Sequence, residues 1–334
     1  MTRSAYTPTA VNRLHTAELP EVLREPLTET WEAFVQVSRE GQFPVPVHPD
    51  FTTSLLRVWA CSDFVTQICL HEPAVFYGLL ASGDLLADYA NGEHRRKLKR
   101  ALKGVTDSTE LGRLLRDFRR QEMLRIAWRD LAGWATLNEV LRDLSALADA
   151  CVDVSLGYLG NWAGQRLKPA EKKFKQQMVV LGMGKLGAAE LNFSSDIDLI
   201  FAYPEDNAGW SRQSPGAEQF YLQLGQELIQ LLDKQTEHGF VYRVDMRLRP
   251  YGDSGPLVAN FDALADYYQL QGREWERYAM IKARPVAGPA RASSQLMQLL
   301  KPFVYRRYLD FSAFESLRGL KEQIVREVER KGMQ

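Results

Sequence analysis

The run SSDIDLIFAYPEDN, Ser194 to Asn207, sets Asp196 and Asp198 two residues apart in an otherwise apolar stretch. Alternate residues of a strand share a face. A strand here therefore projects both carboxylates together and sends Ile197, Leu199 and Phe201 to the core. Further on, FVYRVDMRLRP predicts a second strand from Phe240 to about Arg249, stopped by Pro250. The same count puts Arg243, Asp245, Arg247 and Arg249 on its charged face, and Tyr242, Val244, Met246 and Leu248 on its apolar face. If the two strands are neighbours, three carboxylates meet beside three arginines. Carboxylates this close repel unless a cation holds them, and hard oxygen donors suit Mg²⁺ or Mn²⁺. Two such ions serve in-line phosphoryl displacement by orienting nucleophile and leaving group. Arginines on the same face offer forked donors to phosphate oxygens.

A glycine turn precedes the aspartates. In QQMVVLGMGKLG a short apolar strand, Met178 to Leu181, runs into Gly182, Gly184 and Gly187, whose backbone N–H groups form an anion-binding nest with Lys185 beside them. The glycines spell GxGxxG, the dinucleotide fingerprint. That reading fails on context, because the aspartate strand begins twelve residues after Gly184 and leaves no room for a crossover helix. A purely structural alternative pairs Asp196 and Asp198 with Arg247 and Arg249 to blunt a sheet edge; the number of aligned charges exceeds what an edge needs. Glycine turn, DxD and a third strand aspartate together match the nucleotidyltransferase pattern of the DNA polymerase β type. An α+β fold with a mixed sheet flanked by helical regions follows. Histidines 15, 48, 71 and 94 cluster with nothing, which argues against zinc, and His238 reads as a helix C-terminal residue.

The elements that must position these groups are mostly helical. From about Thr30 to Lys168 apolar residues recur with the helical period. The clearest stripe is Leu137, Val140, Leu141, Leu144, Leu147, Ala148, Cys151, Val154, Tyr158, Leu159 and Trp162. EHRRKLKRALKG and RLLRDFRRQEMLRIAWRD carry arginines at helical spacing and read as solvated faces. The composition of Pro204 to Gly216 predicts a mobile loop, and the next helix puts Phe220, Leu224, Leu228, Leu231 and Leu232 on one side. FDALADYYQLQGREWERYAMIKAR returns to helix, as does the final segment, which stops without a helix ending as expected of a piece of a longer chain. The expected organisation is a mainly helical region over 1–168, a nucleotidyltransferase-type domain over 169–290, and the start of a helical region over 291–334.

The 334 residues suffice for about two domains. With 42 basic and 42 acidic side chains, nothing in the charge balance points to nucleic acid or an anionic membrane. Cys61, Cys69 and Cys151 follow no metal spacing and read as buried reduced thiols. No leader is visible, and no run approaches the roughly 18 apolar residues of a membrane span. These features predict a soluble cytoplasmic protein.

GMGKLGAAELNFSSDIDLIFAYPE, VYRVDMRLRPYGDSGPLV and REWERYAMIKAR closely resemble the bifunctional glutamine synthetase adenylyltransferase and adenylyl-removing enzymes of bacteria. The resemblance spans most of the chain, most securely Met178 to Arg284. That family carries two nucleotidyltransferase domains separated by helical regions. The single catalytic set here, after some 180 mainly helical residues, resembles the N-terminal, adenylyl-removing half. By this resemblance Asp196, Asp198 and Asp245 are the catalytic, metal-binding carboxylates for Mg²⁺ or Mn²⁺, in two ions. Gly184, Lys185 and Gly187, with Ser195, Arg247 and Arg249, bind phosphate or nucleotide. Lys282 and Arg284 match KAR, either reaching phosphate or serving structure on a helix. Ala188 stands where the family often has another glycine, which puts the tightness of the turn in question. The implied reaction is phosphorolysis: inorganic phosphate is co-substrate, AMP leaves a tyrosine of adenylylated glutamine synthetase, and ADP is released. Implied partners are glutamine synthetase, the PII signal protein in its uridylylated form, and the remainder of the bifunctional chain. AMP transfer from ATP to glutamine synthetase and a non-catalytic nucleotide- or signal-protein-binding module are the alternatives.

Overall fold

The computed structural model describes residues 20–44, 49–167, 176–204 and 216–305, with 318, 319, 321–323, 325, 326 and 328–330 beyond them. The expected loop between Pro204 and Gly216, and most of the final helix, lie outside the described residues. The expected α+β organisation is present, with a mixed sheet between helical stretches. The chain divides into two compact units, the described residues of Met1–Ala90 with Phe118–Asp143, and Asn91–Asp117 with Leu144–Gln334.

The first unit is helical among the described residues: α1 (Glu21–Glu40), α2 (Pro49–Cys61), α3 (Asp63–His71) and α4 (Pro73–Ser82), with parts of α6 (Ser108–Leu131) and α7 (Leu137–Gln165). Its core is aromatic. The Phe34 ring lies within 6.0 Å of the rings of Trp31, Trp59, Phe76 and Tyr77, and Phe51 stacks on Trp128. Beside this core the expectation of solvated arginines fails. Arg125 and Arg129 of α6 are buried: Arg125 pairs with Glu122 at 2.8 Å and Asp143 at 2.5 Å, Arg129 with Glu139 at 2.7 Å. Buried charges persist only when paired, and partners on a neighbouring helix cannot be seen from one helix's spacing. Cys61 is exposed, whereas Cys69 and Cys151 are buried, and burial pushes the Cys69 thiol up to about 12. No single described helix is long and apolar enough to cross a membrane; α3 and α4 pass only as a pair bent by 95°.

The second unit holds α5 (Glu93–Ala101), the remaining parts of α6 and α7, and the sheet. Leu137 opens α7 and is exposed; Val140, Leu144, Leu147, Ala148, Cys151, Val154 and Leu159 of the predicted stripe are buried as expected, while Leu141, Tyr158 and Trp162 are half-buried. The sheet comprises β1 (Val179–Gly182), β2 (Ile197–Tyr203), β3 (Val244–Asp245), β4 (Val258–Asn260) and β5 (Arg284–Ala287). Strand β2 runs antiparallel to β1 and parallel to β3 at its start and β4 at its end; β5 lies antiparallel to β1 on the other side. Between β1 and β2 sits α8 (Gly184–Gly187); α9 (Ala217–Asp233) connects β2 to β3 as the crossover that a parallel pair requires. Then follow α10 (Phe261–Leu270), α11 (Glu274–Met280) and α12 (Ala290–Val304).

Both faces of β2 are covered. Ile200 and Ala202 join a core with Phe261, Leu264, Tyr268, Leu296 and Leu300 of α10 and α12. On the opposite face Tyr203 stacks on Tyr221 of α9 at 4.4 Å, and Gly225 lets α9 approach Phe201. Leu224, Leu228, Leu231 and Leu232 are buried as the spacing predicts. The face shared with Asp198 is thus polar only at the start of the strand.

Two expected elements differ. The predicted second strand contracts to Val244–Asp245, because Met246 to Pro250 turn away from the sheet. The predicted helix over KAR ends at Met280, and Arg284 begins β5. Asn260 caps α10 by accepting Ala263 N–H at 2.7 Å, while Gly272 separates α10 from α11.

Candidate active site

Strand β1 ends at Gly182, and the chain passes through Met183 into the helical turn α8. Met183 N–H donates to Asp198 O at 2.9 Å, extending the β1–β2 ladder to the aspartate. Gly184 has φ +53, and a Cβ there would stand 2.6 Å from Asp198 Oδ2. Only glycine holds both that backbone and that approach. At Gly187 a Cβ would collide with the carbonyl oxygens of Lys282 and Gly182. Ala188 is in the ordinary right-handed region, φ −78 and ψ −3, so the turn closes without a glycine there; the positive φ falls on Ala189 instead.

The register brings the sheet aspartates together: Asp198 of β2 is the partner of Asp245 of β3. Burial and the charges of Asp245 and Asp196 push the Asp198 carboxyl up, against Arg247 and Lys185. Asp198 forms no salt bridge among the described residues. Asp245 goes the other way: Arg247 holds it below the ordinary carboxylate range. It accepts Arg247 N–H at 2.8 Å and takes the guanidinium as a fork, Nε 2.8 Å and Nη2 2.5 Å from Oδ2. Asp196, which precedes β2, accepts Arg243 Nε–H at 2.6 Å, while Arg243 Nη2 donates to Ser194 O at 3.3 Å. Lys185 Nζ lies 3.4 Å from Ser195 Oγ, and Ser195 donates to Asn192 Oδ1.

Gly184, Lys185, Ser195, Asp196, Asp198, Asp245 and Arg247 therefore gather at one edge, with Gly187 behind them as a packing residue. Arg249 does not join. Its guanidinium donates to Met246 O at 2.8 Å and Asp253 O at 3.3 Å, which closes the turn after β3. With β3 ending at Asp245, strand alternation no longer governs residue 249. Arg284 is likewise structural: it forks onto Asp149 and donates to backbone carbonyls of α8. Lys282 pairs with Glu190 at 3.0 Å. His238 sits beyond the end of α9 in a turn bridging Thr236 and Gly239.

Among the described residues no three His, Cys, Asp or Glu side chains stand close enough to hold a metal ion. Arginines occupy the two outer carboxylates: Arg243 and Arg247 are 57% and 76% exposed in their side chains. The donor set nevertheless fits Mg²⁺ or Mn²⁺. Asp198 is a hard-oxygen donor with no salt bridge among the described residues and two like charges beside it, and ion pairs made by arginines this exposed are worth little. Sequence reasoning put Arg243 on the charged face without its pairing to Asp196, and missed Asp149, which lies 135 residues from Arg284 and follows no local motif.

A family profile described as glutamate-ammonia ligase adenylyltransferase matches residues 52–298. Relatives named bifunctional glutamine synthetase adenylyltransferase/adenylyl-removing enzyme include one from Pseudomonas aeruginosa, 54% identical over 83% of this chain and 29% of its own length. Another, from Nitrosococcus oceani, is 48% identical over 95% of this chain and 33% of its own length. A third, from Shewanella loihica, is 44% identical over 94% of this chain and 33% of its own length. The chain spans about a third of the length of these relatives.

Proposed function

Because the chain belongs to the glutamate-ammonia ligase adenylyltransferase family, we propose that it removes AMP from an adenylylated tyrosine of glutamine synthetase by phosphorolysis. The observation that carries this reading is the pairing of Asp198 with Asp245 beside the turn of Gly184 and Lys185. An oxygen of inorganic phosphate bonds to the α-phosphorus, the bond to the tyrosine oxygen breaks, and the phenolate takes a proton from water, leaving ADP and free tyrosine. A phosphate dianion is a nucleophile at neutral pH and needs no general base, which suits a site without histidine.

Asp196, Asp198 and Asp245 would hold Mg²⁺ or Mn²⁺, in two ions. Bound metal shields the two anionic reactants from one another and stabilises the phenolate. Lys185, with the Ser195 hydroxyl 3.4 Å away, binds a phosphate oxygen. Arg247, released from Asp245, presents its fork to the incoming phosphate. Arg249 acts one step removed by shaping the turn that carries Arg247. Uridylylated PII and the remainder of a longer chain regulate the reaction in the cytoplasm.

Incubation of the purified chain with adenylylated glutamine synthetase and Mg²⁺, with and without phosphate, tests this. Phosphate-dependent ADP is expected. Released AMP would mean hydrolysis, labelling of unmodified glutamine synthetase from ATP would mean transfer in the opposite direction, and no turnover with normal nucleotide binding would mean a sensing module.

A further inference from the structure

Helix α7 grips the glycine turn at both ends. Ser145 and Asp149 lie four residues apart and so share a face of α7. Ser145 Oγ accepts Leu191 N–H at 3.1 Å in a buried contact. Asp149 takes the Arg284 guanidinium as a fork, with Nη1 2.7 Å from Oδ2 and Nη2 3.1 Å from Oδ1. The same guanidinium donates to Leu186 O at 3.0 Å and Gly187 O at 3.3 Å. Those are the last carbonyls of α8, where a cation is favoured. Arg284 is anchored in turn by strand pairing with Gly182.

The segment held this way is the one that matters for the site. It carries Lys185, and its first residue, Gly184, lies against the Asp198 carboxylate. Four residues of helix with no side-chain N-cap cannot fix their own orientation, since short helices are marginal alone. We propose that Asp149 and Arg284 are positioning residues: their ion pair sets the placement of the α8 turn, and through it Lys185, against the phosphate of the substrate. The kinetic part of this inference rests on the proposed nucleotidyl-transfer reaction.

The test uses the full chain with Asp149→Asn, Asp149→Glu, Arg284→Lys, Lys185→Met and the Asp149→Asn/Lys185→Met double variant. Assays run well below each thermal midpoint. Asp149→Asn and Arg284→Lys are each expected to lower kcat roughly ten- to a hundred-fold, with Asp149→Glu recovering part of the loss. The double variant should be no slower than Lys185→Met alone, because both changes act through one group. Multiplicative losses in the double variant, or an unchanged kcat for Asp149→Asn, would overturn the proposal. Should the parent chain transfer nucleotide in neither direction, the functional reading fails and amide hydrogen exchange decides the positioning role. Faster exchange over 184–191 in Asp149→Asn, absent from a Leu228→Ala control, upholds it; equal exchange refutes it.

Discussion

Asp198 and Asp245, partners across two strands, titrate differently because the groups around them differ. Burial and two like charges raise Asp198 against the weaker pull of Arg247 and Lys185, whereas Asp245 has a forked arginine. In metal-free protein, carboxyl NMR titration should therefore find Asp198 above the ordinary range and Asp245 below it. The stability consequences have opposite sign. The raised group stabilises the fold below its unfolded-state pKa and loses that contribution as pH rises through its folded value. The lowered group contributes above its unfolded-state value and loses the contribution as pH falls through its folded one. It follows that Asp198→Asn should unfold at or above the parent's midpoint at pH 7 while abolishing turnover. A fully active, folded Asp198→Asn protein would remove that carboxylate from the site. The types and spacing of Asp196, Asp198 and Asp245 were legible directly, since alternation on a strand is a local rule. Where Arg249 points was not, because it depends on the strand ending at Asp245.

Among the elements, the β1–α8–β2 unit is constrained by backbone contact more than by side chains. Gly184→Ala places a Cβ at φ +53 against Asp198 Oδ2, and strained backbone of this kind costs about 1–3 kcal/mol. Denaturant unfolding should show that loss, accompanied by impaired turnover from the displaced Asp198. On the far face of the sheet, Leu228 of α9 is fully buried. Leu228→Ala should cost about 2–5 kcal/mol by the same measurement, with KM unaffected at temperatures where the protein stays folded. Helix α9 was readable from its apolar spacing, and so was the buried stripe of α7 beyond Leu137. Strand β5 was not, since Arg284 to Ala287 lack a strand-like alternation and become a strand only by pairing with β1.

At the scale of the whole molecule, the first unit depends on charges in its interior. Arg125 has no exposed surface and bridges Glu122 and Asp143, so Arg125→Met takes the shared guanidinium from two buried carboxylates, while Arg142 stays 2.8 Å from Asp143. Removing one partner of such a network costs about 3–5 kcal/mol, and hydrogen exchange in α6 between Phe118 and Leu131 should accelerate accordingly. What the linear order of residues established was the α+β class, the glycine turn followed by paired aspartates, the family resemblance and most helix faces. All of these rest on periodicity or on short-range spacing that backbone geometry reads locally. Folding alone established the pairing of Asp198 with Asp245, the diversion of Arg249 into a turn, the buried arginines and the grip of Asp149 on Arg284. Each of those joins groups distant in sequence or depends on where an element stops, and the free energy that selects them comes from burial and charge pairing between elements.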